Sequence, residues 1–235
     1  MRSYVDNKNI GNSVEIVEDY NHIVNVLRLK VGDNIIVFNN TNFDYECKIT
    51  KINKKSVECE VINKIENKIK NSNLTVFQAL LKGEKLDFLI QKLTEMNIEN
   101  LNLFLSNFTI SKWKEDKKEK LNKISIEACK QCGRSKSLNI NYVGDFNKML
   151  TCLNEFDLVI FAYEKSTESL KEALKNVQNK KVAIIIGSEG GFSNIEAEAL
   201  IRLKNVKCVS LGSTILRAET ASLYLSSIVN FCLNG

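Results

Sequence analysis

Two glycine-containing loops hold the residue types best suited to binding a ligand in this 235-residue sequence. The first loop, residues 187–193, reads GSEGGFS, and its glycines allow the backbone to approach a ligand closely and to adopt positive φ angles. It has neither the G-x-G-x-x-G spacing of dinucleotide sites nor the G-K-[ST] of a P-loop, so a phosphate-rich nucleotide is not the predicted ligand. A tight turn between a strand and a helix explains the same residues equally well.

The second loop, residues 211–221, reads LGSTILRAETA and brings a basic and an acidic residue to the predicted start of a helix. The acid, Glu219, suits the partial positive charge of a helix N-terminus. The base, Arg217, does not, which indicates an anionic partner for its side chain. The alternative is an ion pair at the protein surface, which stabilises a protein little.

Both loops follow segments that read as strands of a parallel sheet. Residues 182–186 form a continuous apolar run, typical of a strand buried on both faces, and residues 207–210 form a second short strand. Ser193 and Glu196 match the S-x-x-E capping box, which predicts that a helix starts directly after the first loop. Because ligands bind at the carboxyl ends of strands in open α/β sheets, we expect the two loops to meet there.

The rest of the sequence predicts two domains, residues 1–70 and residues 73–235. Apolar and polar residues alternate over 43–50 and 57–61, after a short helix over 19–28, which indicates a small barrel-like β domain. The polar segment 63–73 is the predicted linker. Strands and helices then alternate, which indicates an α/β domain with a mainly parallel sheet. Its further predicted elements are strands over 101–105 and 157–163 and helices over 86–96, 113–131, 170–177, 195–203 and 217–232.

Composition leaves the partner open. The net charge is +5, and lysines cluster in residues 48–70 and 112–123, where they can contact RNA phosphates or simply form solvated faces. No apolar run approaches the roughly 18 residues of a membrane helix, and the first ten residues carry no signal-peptide pattern, so a cytoplasmic protein is expected.

The cysteines predict neither a metal site nor a certain redox role. Seven cysteines are present, with a single C-x-x-C at Cys129 and Cys132 and a single histidine, His22. A structural zinc site needs about four ligands, so no metal is predicted. A redox pair and two small residues at a helix end both remain open for the C-x-x-C.

Five sequence blocks, in their order along the chain, resemble those of the RsmE family, the 16S ribosomal RNA uridine-N3 methyltransferases of the SPOUT class. The blocks are HIVNVLR at 22–28 with VGD at 31–33, ALLKGEKLDFLIQKLTE at 79–95, EACKQCGR at 127–134, GSEGGFS at 187–193, and LG at 211–212 with ILRAETA at 215–221. The resemblance spans nearly the whole chain. Two departures are Ser188, where the family usually has proline, and Asn21 before His22, where it usually has two histidines.

The resemblance implies a trefoil-knotted SPOUT domain with a parallel sheet and an N-terminal PUA-like β-barrel that grips RNA. It also implies a homodimer that uses S-adenosylmethionine to methylate N3 of a uridine in 16S ribosomal RNA, with the small subunit as the expected substrate. The residues expected to bind the cofactor are Tyr163, Ile186, Gly187, Ser188, Glu189, Gly190, Gly191, Leu211, Gly212, Ile215 and Leu216.

Catalytic and RNA-contacting roles follow from charge and position. Arg217 is expected to stabilise negative charge on the uracil oxygens, and Glu219 to act as a base or to orient Arg217. RNA phosphates are expected to contact His22, Arg28, Lys82 and Arg134. Trp113 either stacks on a base or packs against the protein.

Two other functions fit the same resemblance less well. One is a knotted methyltransferase that acts on a ribose 2′-hydroxyl, against which the long N-terminal β domain and the ILRAET block argue. The other is a non-catalytic RNA-binding protein, against which the intact Arg217, Glu219 and glycine loop argue.

Overall fold

The computed structural model describes residues 1–69 and 72–234, and these form two packing units. The first unit comprises residues 1–69 and 126–137, and the second comprises the rest of the described chain. The predicted domain ends at Lys70 and Gly235, and Asn71 of the predicted linker, lie outside the described residues. The predicted division into 1–70 and 73–235 stays a prediction, but residues 126–137 pack with the first unit, which no local pattern indicated.

The first unit is built on a five-stranded sheet with the order β1-β3-β4-β5-β2. The two predicted alternating segments lie in β4 and β5, which pair antiparallel. Tyr45, Cys47 and Ile49 are buried on one face because alternate strand residues point to the same side. The strands are β1 (Arg2–Tyr4), β2 (Ser13–Ile16), β3 (Asn34–Phe38), β4 (Phe43–Ile52) and β5 (Val57–Glu66).

The helix predicted over residues 19–28 is shorter than expected. Residues 20–26 are helical, His22–Val26 forms a π-helical turn, and Ile23 is the buried residue of that turn. The chain leaves the turn at Arg28, whose φ is +56°. A left-handed residue cannot continue a right-handed helix, so the predicted helix ends early.

A half-buried carboxylate ties the first unit together. Asp44 accepts hydrogen bonds from Arg2 Nη1 at 2.9 Å and Nη2 at 2.7 Å, from Asn67 Nδ2 at 2.9 Å, and from the Ser135 hydroxyl. Burial by itself raises the pKa of Asp44, but these hydrogen bonds and the charge of Arg2 outweigh burial and lower that pKa. The ionised carboxylate therefore joins β4 to the segment that follows the long second helix.

The second unit contains a six-stranded sheet in the order β11-β9-β10-β6-β7-β8, in which every pair is parallel. Its strands are β6 (Leu74–Ala79), β7 (Asn100–Leu105), β8 (Asn139–Asp145), β9 (Leu158–Ala162), β10 (Val182–Ile186) and β11 (Val206–Val209). Its helices are α1 (Glu84–Glu95), the larger part of α2 (Asp116–Cys132), α3 (Phe146–Cys152), α4 (Leu170–Ala173), α5 (Asn194–Ile201) and α6 (Ala218–Asn234).

Helices cover both faces of the central strands. All of β6 and β10 is buried, as predicted for residues 182–186. Ile184 and Ile186 pack into one apolar cluster, and Ala183 and Ile185 into another on the opposite face. Because β9, β10 and β11 are parallel neighbours, their carboxyl ends lie together at one edge of the sheet. No helix among residues 1–69 and 72–234 has both the length and the apolar character needed to cross a bilayer.

The Asp44 carboxylate should make stability depend on pH. A folded-state pKa below the unfolded value stabilises the fold above that unfolded pKa, and the stabilisation is lost as pH falls through the folded pKa. We expect Asp44→Asn to lower the free energy of unfolding near neutral pH by about 2 kcal/mol, since bonds to a charged acceptor are lost.

Urea unfolding followed by circular dichroism checks this prediction. The difference between Asp44→Asn and the parent should shrink as pH falls below the ordinary aspartate pKa of 3.8. A difference that stays constant across this pH range would contradict it.

Candidate cofactor site

A cavity lies at the carboxyl ends of β9, β10 and β11, where both predicted loops meet. Its volume is about 680 Å³, within the usual range for small-molecule sites. Residues 162–164, 186–192 and 210–218 line most of it, together with Lys85 and Ala221. All of the expected cofactor-binding residues lie on its wall: Tyr163, Ile186, Gly187, Ser188, Glu189, Gly190, Gly191, Leu211, Gly212, Ile215 and Leu216. Their contact with the cofactor stays a prediction.

The first loop can form because its glycines lack side chains. A Cβ on Gly187 would lie 3.0 Å from the Phe192 ring and 3.1 Å from the Gly191 backbone. Gly191 has φ +70° and donates its N–H to the Ser188 carbonyl at 2.9 Å, which closes a tight turn. The backbone is therefore brought to the cavity wall with no side chain in the way.

The end of the loop is fixed by the predicted capping box, which is confirmed. The Ser193 hydroxyl accepts from the Glu196 N–H, and Glu196 Oε2 accepts from the Ser193 N–H at 2.9 Å. The other carboxylate oxygen, Oε1, accepts from the Asn107 N–H at 2.8 Å. Buried Glu196 thus joins the start of α5 to the turn after β7, a contact that the sequence pattern does not reveal.

Aromatic packing holds the same loop from the core side. The Phe192 ring meets Phe161 edge to face, with ring centroids 5.1 Å apart, and stacks on Phe104 at 6.4 Å. Phe108 packs against Gly190 so closely that a Cβ on that glycine would lie 2.8 Å from the Phe108 Cβ. The loop is therefore pre-formed by packing before any ligand arrives.

Glu189 places a negative charge on the cavity wall. Its Oε1 accepts from the Lys82 N–H at 3.2 Å and from Lys85 Nζ at 3.3 Å. Burial would raise the pKa of Glu189, but backbone hydrogen bonds from Glu189 itself and Lys82, together with Lys85, outweigh burial and lower it. Lys85, which also lines the cavity, was not predicted, because one lysine among many gives no local signal.

The second loop presents Arg217 to the cavity. Gly212 has φ +125°, and Ser210 Oγ donates to its carbonyl at 3.2 Å, which turns the chain away from β11. Arg217 is exposed, lines the cavity and makes no ion pair with any residue the structure describes. The alternative of a surface ion pair is therefore wrong, and the guanidinium remains available to an anionic ligand.

Glu219 does not line the cavity beside Arg217. It lies in the first turn of α6 and is absent from the cavity lining. Its Oε2 is buried without a hydrogen-bond partner in the described part of the chain. The two side chains form no ion pair, so the expected orienting contact between them is not found.

The residues predicted to contact RNA have different exposures. His22 and Arg28 are exposed on the first unit, and Lys82 is exposed on the second, in the turn before α1. Arg134 is only 3% exposed, so its guanidinium is not offered at the surface, and this part of the prediction is corrected. Trp113 precedes α2 and stacks on Tyr142, with ring centroids 4.7 Å apart, which is the packing alternative.

Cys129 and Cys132 lie at the end of α2 as two small residues, which is the alternative to a redox pair. Cys129 is buried, its thiol donates to the Lys136 carbonyl at 3.6 Å, and it forms no disulfide with Cys132. Within residues 1–69 and 72–234, no three His, Cys, Asp or Glu side chains group in a way that could hold a metal ion.

Comparison with known proteins identifies the family. A family model described as an RNA methyltransferase domain matches residues 68–230, and one described as an RNA methyltransferase PUA domain matches residues 17–62. The ribosomal RNA small subunit methyltransferase E of Rickettsia conorii is 31% identical over 94% of this chain and 91% of its own length. The Bacillus subtilis protein of that name is 32% identical over 91% and 88%. The chain belongs to the ribosomal RNA small subunit methyltransferase E family.

Solved structures agree with this methyltransferase assignment. A methyltransferase of Legionella pneumophila, in complex with S-adenosylmethionine, is 26% identical, covers 97% of this chain and 96% of its own, and has a TM-score of 0.85. The fold is also shared with the Neisseria gonorrhoeae methyltransferase E bound to S-adenosylmethionine, at 24% identity over 99% and 97% and a TM-score of 0.85. The predicted fold class is confirmed: a SPOUT-type α/β domain with a parallel sheet and a PUA-like β domain. The predicted cofactor agrees with the one these two proteins bind.

Gly187→Ala should damage the cavity more than the fold elsewhere. The new Cβ would press on the Phe192 ring and the Gly191 backbone, and such overpacking costs about 1–3 kcal/mol. We expect S-adenosylmethionine affinity, measured by calorimetry, to fall roughly tenfold or more, since about 1.4 kcal/mol is a factor of ten. Gly11→Ala, where a Cβ meets nothing within 4 Å, is the control. Equal affinities for the two variants would refute the importance of this close approach.

Proposed function

We propose that this methyltransferase transfers the methyl group of S-adenosylmethionine to N3 of a uridine in 16S ribosomal RNA, with the small subunit as its substrate. The observation that supports it most directly is Arg217, which lies on the wall of a cavity formed by two glycine-containing loops and pairs with no acidic side chain of residues 1–69 and 72–234. A cation in that position suits a substrate that becomes negative as it reacts.

The cavity fits S-adenosylmethionine. Tyr163, Ile186 and Leu216 provide apolar wall for an adenine ring, and the glycine loops provide backbone groups at close range. The Ser188 hydroxyl is buried on this wall and has no hydrogen-bond partner in the described part of the chain, so it awaits a polar group of a ligand. Ionised Glu189 suits a positively charged ligand. When bound, the cofactor supplies a methyl group on a positively charged sulfur.

The protein's part of the reaction is to position the uracil and to neutralise the charge that develops on it. Uracil N3 carries a proton and becomes a good nucleophile only as that proton passes to water, which puts negative charge on the two carbonyl oxygens of the uracil. Arg217 stabilises that charge, and holding the uracil in line with the methyl group removes much of the entropic cost of the encounter. Glu219, outside the cavity wall, contributes through the first turn of α6 rather than by touching the uracil.

RNA phosphates are bound by the exposed side chains of His22, Arg28 and Lys82. His22 and Arg28 lie in the segment matched by the PUA model, and Lys82 precedes α1 on the second unit. Contacts to phosphate from these three residues would make binding weaken as salt increases.

A homodimer is part of the same proposal. On α6, Tyr224 is exposed and Phe231 is 76% exposed, beside a cleft lined by Met96 and Asn230. An aromatic surface of this kind is typical of a protein interface. Sedimentation velocity should show a dimer for the parent chain and a monomer for Phe231→Lys, and a monomeric parent would contradict the proposal.

Arg217→Ala should remove methylation without removing cofactor binding. Loss of one preorganised charge stabiliser reduces turnover by about 10²–10³-fold. Calorimetry should give an S-adenosylmethionine dissociation constant close to that of the parent. Glu219→Gln is the matched variant from the same turn and should lower turnover far less. Normal turnover by Arg217→Ala would sink the proposed role.

Mapping the methylated nucleoside tests the proposed position. Small subunits lacking the modification are incubated with the protein and labelled S-adenosylmethionine, and the RNA is digested to nucleosides for mass spectrometry. We expect 3-methyluridine. A 2′-O-methylated ribose would favour the other methyltransferase, and absence of label together with absence of cofactor binding would favour the non-catalytic RNA-binding protein.

A further inference from the structure

Gln78 is a buried polar residue that contacts Gly187 of the cavity wall and that the mechanism above does not use. It is fully buried, at 0% exposure, near the end of β6 in the middle of the parallel sheet. In the sheet it lies beside Ile186 of β10 and Leu103 of β7. Ile186 is the last strand residue before the glycine loop, so Gln78 is placed against the point where that loop begins.

The Gln78 amide is tied to the loop. Its Nε2 donates to the Gly187 carbonyl at 2.8 Å and to the Ala79 carbonyl at 3.0 Å, which uses both amide hydrogens. Its Oε1 is buried and accepts no hydrogen bond from any described residue. The side chain therefore donates a hydrogen bond to a loop carbonyl, while its own oxygen receives none from the described residues.

Stability alone does not explain a glutamine here. A buried acceptor without a partner is unfavourable, and an apolar side chain of the same shape avoids it. All other residues of β6 except Thr75 are apolar and equally buried. The distinguishing effect of Gln78 is thus the contact with Gly187, a residue of the cavity wall.

Fixing the Gly187 carbonyl fixes the start of the loop. A peptide unit is planar, so the direction of this carbonyl also sets the direction of the Ser188 N–H. Glycine has the widest backbone freedom, and Gly187 has no side chain of its own to restrict it. The turn that follows, closed by the Gly191 N–H on the Ser188 carbonyl, begins from this fixed peptide.

We infer that Gln78 is a positioning residue for S-adenosylmethionine binding, which acts by anchoring the Gly187 carbonyl. The inference rests on the proposed function, since it assigns the cofactor to this cavity. The anchoring is specific to the amide donor, so side chains of similar size that cannot donate leave the sheet intact and the loop loose.

The first test is Gln78→Met in the full chain, because methionine matches the length but cannot donate. We expect the thermal midpoint to stay unchanged or to rise. The S-adenosylmethionine dissociation constant, measured by calorimetry, should increase roughly tenfold, as for the loss of one hydrogen bond. The KM for RNA should stay at the parent value.

Gln78→Glu provides a rescue that depends on pH. A protonated carboxyl donates one hydrogen bond to the Gly187 carbonyl, whereas the ionised form repels it. Affinity for S-adenosylmethionine relative to the parent should therefore be near normal at low pH and fall as pH rises. Thr75→Val, a buried polar change at the other end of β6, is the matched control and should leave cofactor affinity unchanged.

Hydrogen exchange distinguishes positioning from a general structural role. In Gln78→Met, the amides of residues 188–191 should exchange faster while those of β6 and β10 keep their parent rates. Faster exchange across the whole sheet, or a parent-like dissociation constant for Gln78→Met, would overturn the inference. Failure of the parent chain itself to bind S-adenosylmethionine would instead overturn the proposed function.

Discussion

The parallel pairing of β9, β10 and β11 is the constraint on which the rest of the site depends. Parallel neighbours bring their carboxyl ends to one edge of the sheet. The chain leaves the sheet at this edge after each of the three strands and has to turn there each time. Both faces of β10 are buried in separate apolar clusters, so a shift of register would disrupt close packing on both faces of the sheet. The cavity is therefore as fixed in shape as the core beneath it.

A loop that approaches a ligand with its backbone must be held by something other than its own side chains. Here the support comes from separate parts of the second unit. Phe192 fills the core side, Glu196 fixes the end of the loop through Asn107 and Ser193, and Gln78 holds the beginning. The contacts of Glu196 and Gln78 satisfy backbone groups, and with the packing of Phe192 they leave the loop in need of little reorganisation to bind a ligand.

Polar contacts also fix the chain in the first unit, where they hold a domain together rather than a loop. Asp44 is ionised although half-buried, because Arg2, Asn67 and Ser135 all donate to it. This network brings residues 126–137, which follow the lysine-rich part of α2, into the packing of the β domain. The exposed His22 and Arg28 are thus carried by a domain whose fold is held by internal polar contacts as well as by its apolar core.

Local patterns in the sequence determined the parts of this protein that depend on neighbours along the chain. Alternation predicted β4 and β5, the apolar run predicted β10, and the S-x-x-E spacing predicted the start of α5, because each signal repeats within a few residues. Most of the residues expected to bind the cofactor lie on one cavity wall for the same reason: they occupy two continuous loops that follow two neighbouring strands, while Ile186 ends one strand and Tyr163 follows another.

Tertiary structure alone decided the contacts between residues far apart in the sequence. Gln78 reaches Gly187 only because β6 and β10 are neighbours, and Lys85 reaches Glu189 for a similar reason. Arg134 is buried and Glu219 stands outside the cavity, although both carry charges that the sequence suggested for function. Charge and spacing state what a side chain can do, but its burial and its partners depend on the folded chain, where residues a hundred positions apart become neighbours.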